Sequence, residues 1–485
     1  MPTAPPPTPV RSRSLHTGLY VLVLLTVGAY LPSPLLPGYQ HAFGFSDLSM
    51  TLIYATFALV SAPALLLIGP ATDVVGPRGV LRVSLVAGAV ASLCFALASG
   101  PMWLVAGRAA QGIALGAATS AATVLISANA RARGPLLAGT AFVAGTAAGP
   151  VVGGALAQYA PAPFTLPYVL HLVALGYGWF LASSLPRPTA PVGRWRPAPP
   201  RIPAGMRSVF GFSAATGFLA WTVVGLFLAL IPALLDRAGH TDLALSGCVL
   251  GAVLICSLLT QPLVGRFGPR RAQSLGLTAL FAGLVMLALT SGDSALVTLI
   301  AAITAGAGNG LAYGGATAAV EAAAPPGQRG SITGALYLAF YLGAGCPAIA
   351  VGLISLGHEL ATATSWVAAV AAALVLLTAM CGKSVAPDVP ARQHQRNADE
   401  RRRTHFTSAE RGGGRGPGAG SRRDRAPRAA RPVLGRRSPR PGAGGRASAG
   451  GPAPVQRTRS SGGEAAQRAR RGGVAGRTGT PGDPA

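Results

Sequence analysis

Residues 49–98 read SMTLIYATFALVSAPALLLIGPATDVVGPRGVLRVSLVAGAVASLCFALA. The only charges in this stretch are Asp73, Arg78 and Arg82, which sit together near its centre. On each side lies an apolar run of about the 20 residues that a helix needs to cross the hydrocarbon of a bilayer. Neither run alternates apolar with polar residues, which excludes barrel strands. The stretch is a helix, a short charged turn and a returning helix.

The same unit recurs along the chain. Twelve spans are expected, at 17–37, 49–69, 80–98, 102–126, 136–158, 165–185, 208–235, 244–264, 272–291, 295–319, 331–355 and 362–382. Half of the 485 residues are apolar and 11% are charged, against about 25% charged in a soluble domain. That is too little charge to clothe a water-facing surface, so the expected fold is an all-α integral membrane protein. The first apolar run follows Arg11 and Arg13 and lacks a small-residue cleavage site, so it is expected to be a retained span.

Charge placement orients the spans. Residues 1–382 carry 17 cations, and 15 of these fall on the side of the N-terminus. Arg237 falls on the other side with Asp47, Asp236, Asp242, Asp293 and Glu359, while Arg108 lies inside a span. Excess cation marks the cytoplasmic side. Both termini are therefore expected in the cytoplasm of a multi-pass cell-membrane protein.

The chain divides by composition into an N-terminal segment (1–16), six spans (17–185), a linker (186–207), six more spans (208–382) and a tail (383–485). The linker holds seven prolines and five arginines in 22 residues, an extended, polar composition. The spans of the two halves correspond in order. Gly76-Pro77-Arg78 recurs as Gly268-Pro269-Arg270, 192 residues on. Gln111-Gly112 recurs as Asn309-Gly310 after 198, and Arg133-Gly134 as Arg329-Gly330 after 196. Ordered matches at a near-constant offset imply duplication and two pseudo-symmetric six-helix bundles.

The tail differs from the rest. It carries 23 of the 40 cations, and residues 411–485 contain 19 glycines and 9 prolines. Such a segment buries too little apolar surface to offset its ordering entropy and is expected to be disordered. Its Arg/Gly/Pro/Ala text is also what a GC-rich gene yields in a shifted frame, so truncation after Ser384 is expected to leave insertion and function intact. It offers anionic lipid or nucleic acid a diffuse charge, but Phe406 is its only aromatic residue, so no specific nucleic-acid partner is expected. The five cysteines all fall in apolar runs without C-x-x-C spacing and read as free thiols.

Three stretches carry candidate function. In the first turn, Gly69 allows close helix approach, Gly76 permits a sharp bend, and Asp73 and Arg78 supply opposite charges. Asp73 alone also reads as a solvated turn residue. Arg108, about 9 Å inside span 4 at 1.5 Å per residue, is followed by Gln111 and Gly112. An intramembrane cation faces a cavity or partner, or snorkels to the surface. Span 5 contains Gly145, Gly149, Pro150, Gly153 and Gly154, a flattened face beside a helix-bending proline. No Asp or Glu lies mid-span. Glu321 ends span 10, and His171 in span 6 reads as a packing residue. No nucleotide loop, metal cluster or catalytic constellation is present in the sequence, so no enzyme and no cofactor is expected.

On these residues the chain resembles the major facilitator superfamily. Gly69-x-x-x-Asp73-x-x-Gly76-x-Arg78 has the form of the family's motif A, with Val74 and Pro77 where basic residues are usual. Arg108-Ala-Ala-Gln111-Gly112 looks like motif B. Gly145–Gly154 is similar to motif C, the mark of the drug:proton antiporter branch. The resemblance covers residues 1–382 and leaves out the tail. It implies a monomeric transporter in the bilayer that exports a small, moderately apolar organic compound, by alternating access and at the expense of a proton gradient. It also implies that the first turn gates one side and that Arg108 takes part in proton coupling. The family's cavity helices here carry Tyr30, Tyr54, Phe57 and Gln111 in the first half. In the second they carry Trp221, Phe227, Asn309, Tyr313, Tyr337 and Tyr341. Packing explains each of these equally well taken singly. Uptake of a nutrient or organic anion, with Arg108 as the anion contact, is the alternative.

Overall fold

The computed structural model describes residues 9–69, 71–130, 133–186, 202–290, 294–325 and 328–382. The linker from 187 to 201 and the tail from 383 lie outside the described residues. Among the described residues, twelve helices are long and apolar enough to cross a membrane. They are α1 (Ser12–Phe43), α2 (Asp47–Ile68), α3 (Val74–Ala96), α4 (Pro101–Ala130), α5 (Leu137–Tyr159) and α6 (Leu166–Ser183). The second set is α7 (Ala204–Arg237), α8 (Leu243–Phe267), α9 (Pro269–Thr290), α10 (Ala295–Ala323), α11 (Ser331–Ile354) and α12 (Leu360–Gly382). No strand occurs among the described residues.

Each expected span coincides with one helix, but several helices run further. α4 reaches Ala130 and α10 reaches Ala323, because nothing in the Ala-rich sequence stops them where the apolar run ends. α1 is interrupted by a 3-10 turn at Ser33–Leu35. Pro32 and Pro34 have no N–H to continue the ladder there. The helical turns from Ala71 break at Gly76, whose φ of 74° and ψ of 162° suit glycine alone. Gly268 has φ 80° and ψ 157° at the matching place in the second half. The chain thus uses the same glycine turn twice.

Helix neighbours repeat as the sequence repeats. In the first set α1 packs on α4, α5 and α6, α2 on α4, and α3 on α4 and α6. In the second set α7 packs on α10, α11 and α12, α8 on α10, and α9 on α10 and α12. The sets meet along two pseudo-symmetric seams, α5 against α8 and α2 against α11. Burial follows this arrangement. The most apolar window of α7 is 94% buried within the protein, whereas that of the peripheral α6 is 33% buried. The outward faces keep large apolar side chains exposed, among them Val173, Phe180, Leu289 and Leu376. Such a surface suits lipid, where helices satisfy their own backbone groups.

Candidate functional site: a cavity between the two halves

All twelve helices alternate between two faces. The ends of α6 and α7 that flank the linker define the linker face, and the other is the far face. A cavity of about 440 Å³ lies between the halves toward the linker face. It merges with a recess of about 520 Å³, both containing Gly139, Tyr313, Glu321 and Tyr337. These volumes fall in the range of about 300–1,000 Å³ that small-molecule sites occupy.

The second half supplies the polar wall. Tyr313, Thr317 and Glu321 follow one another four apart on α10, so they share one face. Arg329, Thr333 and Tyr337 do the same along antiparallel α11, whose helical turns begin at Arg329. The two stripes meet at depth, where the Tyr313 and Tyr337 hydroxyls share a hydrogen bond of 3.0 Å. Trp221 stands edge-on to Tyr313, with centroids 5.9 Å apart. The first half supplies Leu22, Leu65 and Phe142 together with the small hydroxyls of Thr119, Ser120 and Thr123.

Above the cavity each half ties its central helix to its fourth. Gln111 on α4 donates through Nε2 to the carbonyl of Gly28, 2.7 Å away. That carbonyl is available because Pro32, four residues on, has no N–H. Arg108 donates through Nη1 to the carbonyl of Ala29 (2.8 Å) and to Gln111 Oε1 (3.3 Å). The guanidinium is 1% exposed and lies 5.8 and 5.9 Å from the ring centres of Tyr54 and Phe95. Its Nε and Nη2 have no hydrogen-bond acceptor. In the second half, Asn309 Nδ2 donates to the carbonyl of Ala220 (3.0 Å) and Asn309 Oδ1 accepts from Ser257 Oγ (2.7 Å).

The span-5 glycines seat α5 on two helices at once. A Cβ at Gly149 would stand 2.8 Å from the carbonyl oxygen of Val27 and 2.9 Å from Tyr30 Cβ on α1. Gly145 lies against Thr26, and Gly153 against the carbonyl of Leu31. Gly154 faces the opposite way, onto Leu243 and Gly247 of α8, and a Cβ at Gly247 would stand 2.5 Å from the carbonyl oxygen of Pro150. The halves therefore touch backbone to backbone toward the far face.

Ion pairs add to that seal. Arg237 at the end of α7 pairs with Asp47 at the start of α2, with Nη1 to Oδ2 at 3.1 Å. Asp47 Oδ1 also accepts from Gln40 Nε2 at 2.8 Å. His41 Nε2 lies 2.7 Å from Asp236 Oδ2. Gln158 Oε1 at the end of α5 accepts from the backbone N–H of Leu243 at 2.9 Å. The far face is closed and the cavity opens to the linker face.

Of the residues singled out from sequence, Tyr313 and Tyr337 line the cavity. Tyr30, Tyr54, Phe57, Phe227 and Tyr341 are buried, Tyr30 and Phe57 meeting edge to face at 5.5 Å. Trp221 backs the cavity wall, and Asn309 is consumed in the α7 clamp. Arg78 donates through Nη1 to the carbonyl of Leu185 (2.6 Å) beyond α6, within its own half. Arg270 repeats this with the carbonyl of Gly382 (2.9 Å) on α12. Gly69 lies beside Ser120 of α4 and Gly112 beside Phe57 and Ser61 of α2. The side chain of Asp73 lies outside the described residues. His171 is buried between Ser92 (2.7 Å to Nδ1) and the carbonyl of Leu24 (3.0 Å to Nε2). The cavity hydroxyls of Ser120, Thr123 and Thr333 carried no sequence signal, since a small hydroxyl in an Ala-rich helix reads as packing.

A family model described as Major Facilitator Superfamily matches residues 19–346. The chain belongs to the major facilitator superfamily. It is thus a multi-pass membrane transporter of a small-molecule substrate, not an enzyme. The class C tetracycline resistance protein of Escherichia coli is 30% identical over 315 residues, which are 60% of this chain and 77% of that protein. A bacterial homologue of the human lysosomal transporter Spinster, in an inward-facing and unoccupied conformation, is 16% identical with a TM-score of 0.59. That match covers 77% of this chain and 98% of the other. A POT family transporter in complex with a thioalcohol-conjugated peptide is 13% identical with a TM-score of 0.63, covering 77% and 97%. At these identities the two structures show the superfamily fold alone.

Proposed function

We propose that this transporter exports a small, moderately apolar organic compound from the cytoplasm in exchange for protons, working as a monomer in the cell membrane. The observation that carries the reading is the Gly145–Gly154 stretch, which lays α5 against α1 of its own half and α8 of the other. A helix smooth on both sides lets the halves seal and part along one seam. The likeness to a tetracycline resistance protein supports an organic compound as cargo. The mostly apolar wall of Leu22, Leu65 and Phe142 suits such a molecule.

In this scheme the cation-rich linker face is cytoplasmic, as is each terminus, and the open cavity is the loading state. Substrate and proton then shift the balance between two states that differ by a few kcal/mol. The domain boundaries expected from sequence follow, with bundles at 17–185 and 208–382 rocking about the linker. The turn of Gly69, Asp73, Gly76 and Arg78 closes the cytoplasmic side in the alternate state.

The test uses proteoliposomes with an imposed pH gradient and a compound found by comparing accumulation in cells with and without the gene. Substrate must move against the protons and stop when a protonophore collapses the gradient. Movement with the protons favours uptake of an organic anion, for which the observation is the pair of unmet donors on Arg108. That arginine does not line the open cavity, so uptake takes second place.

A further inference from the structure

The proton partner in an antiport cycle needs a titratable group that the substrate also reaches. Among the described residues, Glu321 is the only carboxylate lining the cavity, and it lines both of its recesses. Its side chain is exposed to the cavity and makes no hydrogen bond or ion pair among the described residues. Its position in the last turn of α10 is not explained by helix stability. A negative charge there opposes the helix dipole, at a cost of about 0.3–1 kcal/mol. Duplication sharpens the point. With the offset of 198 that relates Gln111 to Asn309, the counterpart of Glu321 is Thr123, which lines the opposite wall. The second half has an acid where the first has a hydroxyl.

The surroundings decide what such an acid would hold. Four and eight residues back on the same face stand Thr317 and Tyr313, leading to the aromatic edge of Trp221. A carboxylate at the mouth and aromatic rings at depth suit a cation attached to an apolar body. The ionisable groups that face Glu321 are Arg329 of α11 and the phenols Tyr313 and Tyr337. From α8 the recess receives Leu258, Leu259, Gln261, Pro262 and Val264, and from α5 Gly139 and Thr140, none of them titratable. At the start of α9, Arg270 is directed to the carbonyl of Gly382 on α12.

We propose that Glu321 is the site at which a proton and the cationic group of an amphiphilic organic substrate, an amine or onium, exclude one another. This rests on the antiport reading above and adds the substrate class and the exchanging residue. When the cation enters, the carboxyl O–H bond breaks, the proton leaves to water at the open face, and the carboxylate pairs with the cation. On release of the cation the carboxylate takes a proton back.

The experiment measures equilibrium binding of tetraphenylphosphonium to the full-length protein in lipid nanodiscs. It is run across a pH series, with proton release followed by an indicator dye in weak buffer. For the wild type, affinity falls on the acid side by up to about tenfold per pH unit, and up to about one proton is released per cation bound. Glu321→Gln abolishes both the pH dependence and the proton release, and weakens binding at alkaline pH by about tenfold, equivalent to one lost charge pair of about 1.4 kcal/mol. Glu321→Asp retains the pH dependence and proton release, which separates loss of charge from loss of fold. Unchanged affinity and proton release in Glu321→Gln overturn the assignment, as does a wild type that does not bind tetraphenylphosphonium. Gradient-driven export that survives Glu321→Gln overturns the residue and leaves antiport standing. Pairing and proton release without gradient-driven export in the wild type overturn antiport and leave the site standing.

Discussion

The two halves share a scaffold and differ in where they keep charge. Each turns on a glycine with φ near 75–80° at residues 76 and 268. Each directs an arginine, Arg78 or Arg270, to a carbonyl at the end of its sixth helix. Each clamps its first helix with an amide from its fourth, at Gly28 and Ala220. The offset of 198 then pairs buried Arg108 with Gly306, and cavity-lining Glu321 with Thr123. The first half holds a cation away from water, and the second holds an anion in the cavity. Duplication supplied the frame, and the two copies diverged at the positions where chemistry enters.

The largest expected effect tests whether the frame is as symmetric as it looks. Gly149-Pro150 corresponds loosely to Gly345-Cys346-Pro347, 196 residues on, but the surroundings of the two glycines differ. A Cβ at Gly345 would lie 3.3 Å from Ala58 Cβ, a side chain, whereas at Gly149 it meets the backbone of α1 at 2.8 Å. Gly149→Leu should therefore force α1 and α5 apart, cost about 1–3 kcal/mol or more of packing, and abolish export. Gly345→Ala should retain most activity. Export assays and thermal unfolding in detergent check both, and a loss of export in Gly345→Ala as complete as in Gly149→Leu would show that the α2 contact at Gly345 is as unyielding as the α1 contact at Gly149.

The buried cation comes next. Arg108 has one donor engaged and two idle nitrogens in an aromatic shell. Desolvating a buried, unpaired charge costs several kcal/mol, which outweighs the about 1–3 kcal/mol of leaving the Ala29 carbonyl without its donor. Arg108→Met should therefore leave the unfolding temperature unchanged or raised while weakening gradient-driven export, and Arg108→Lys should keep part of the coupling. A large fall in thermal stability would make the arginine a structural clamp. The amide clamps give a smaller, opposite result. Gln111→Leu strands the buried carbonyl of Gly28, at about 1–3 kcal/mol, whereas in Asn309→Leu the carbonyl of Ala220 keeps the N–H donor of its own continuous helix. Gln111→Leu should be the worse of the two, because it also takes an acceptor from Arg108, whereas the Ser257 hydroxyl freed by Asn309→Leu can turn to a carbonyl of its own helix.

These contrasts show what sequence could carry. The twelve spans were legible because hydropathy and the arginine bias depend only on local composition. The repeat was legible because glycine turns and amide clamps tolerate few substitutes. Helix ends were less so, since α4 and α10 continue past their apolar runs in Ala-rich sequence. The cavity was legible only at Tyr313 and Tyr337. Aromatic residues such as Tyr30 and Tyr54 have the same composition whether they face a cavity or a neighbour, and here they face neighbours. Glu321 was visible as an acid at a helix end, but its exposure to the cavity depends on how α10 meets α11, which no local pattern encodes.

The smallest effect belongs to the ion pairs of the far-face seal, which add charge to the glycine contact between the halves. The Arg237–Asp47 pair has two N–H···O contacts, and Gln40 holds the carboxylate in place. The arginine is nonetheless 43% exposed, and pairs in such settings contribute about 0.2–1 kcal/mol. Breaking it should not unfold the protein or stop transport. Asp47→Asn should shift the balance between far-face-closed and far-face-open states by only about 1.5–5-fold, the conversion of that energy at room temperature. Spin labels near the ends of α5 and α8, at 159 and 243, should report a modest gain of the longer distance. Raising salt should produce part of the same shift in the wild type, because surface charges are screened over about 8–10 Å at ordinary ionic strength. The double exchange Asp47→Arg with Arg237→Asp should restore the closed population, since it reverses the pair without removing it. If the single variant instead opened the far face completely, the Gly154–Gly247 contact would not be what holds the halves together. The seal would then be electrostatic, and the glycine seam only the surface on which it closes.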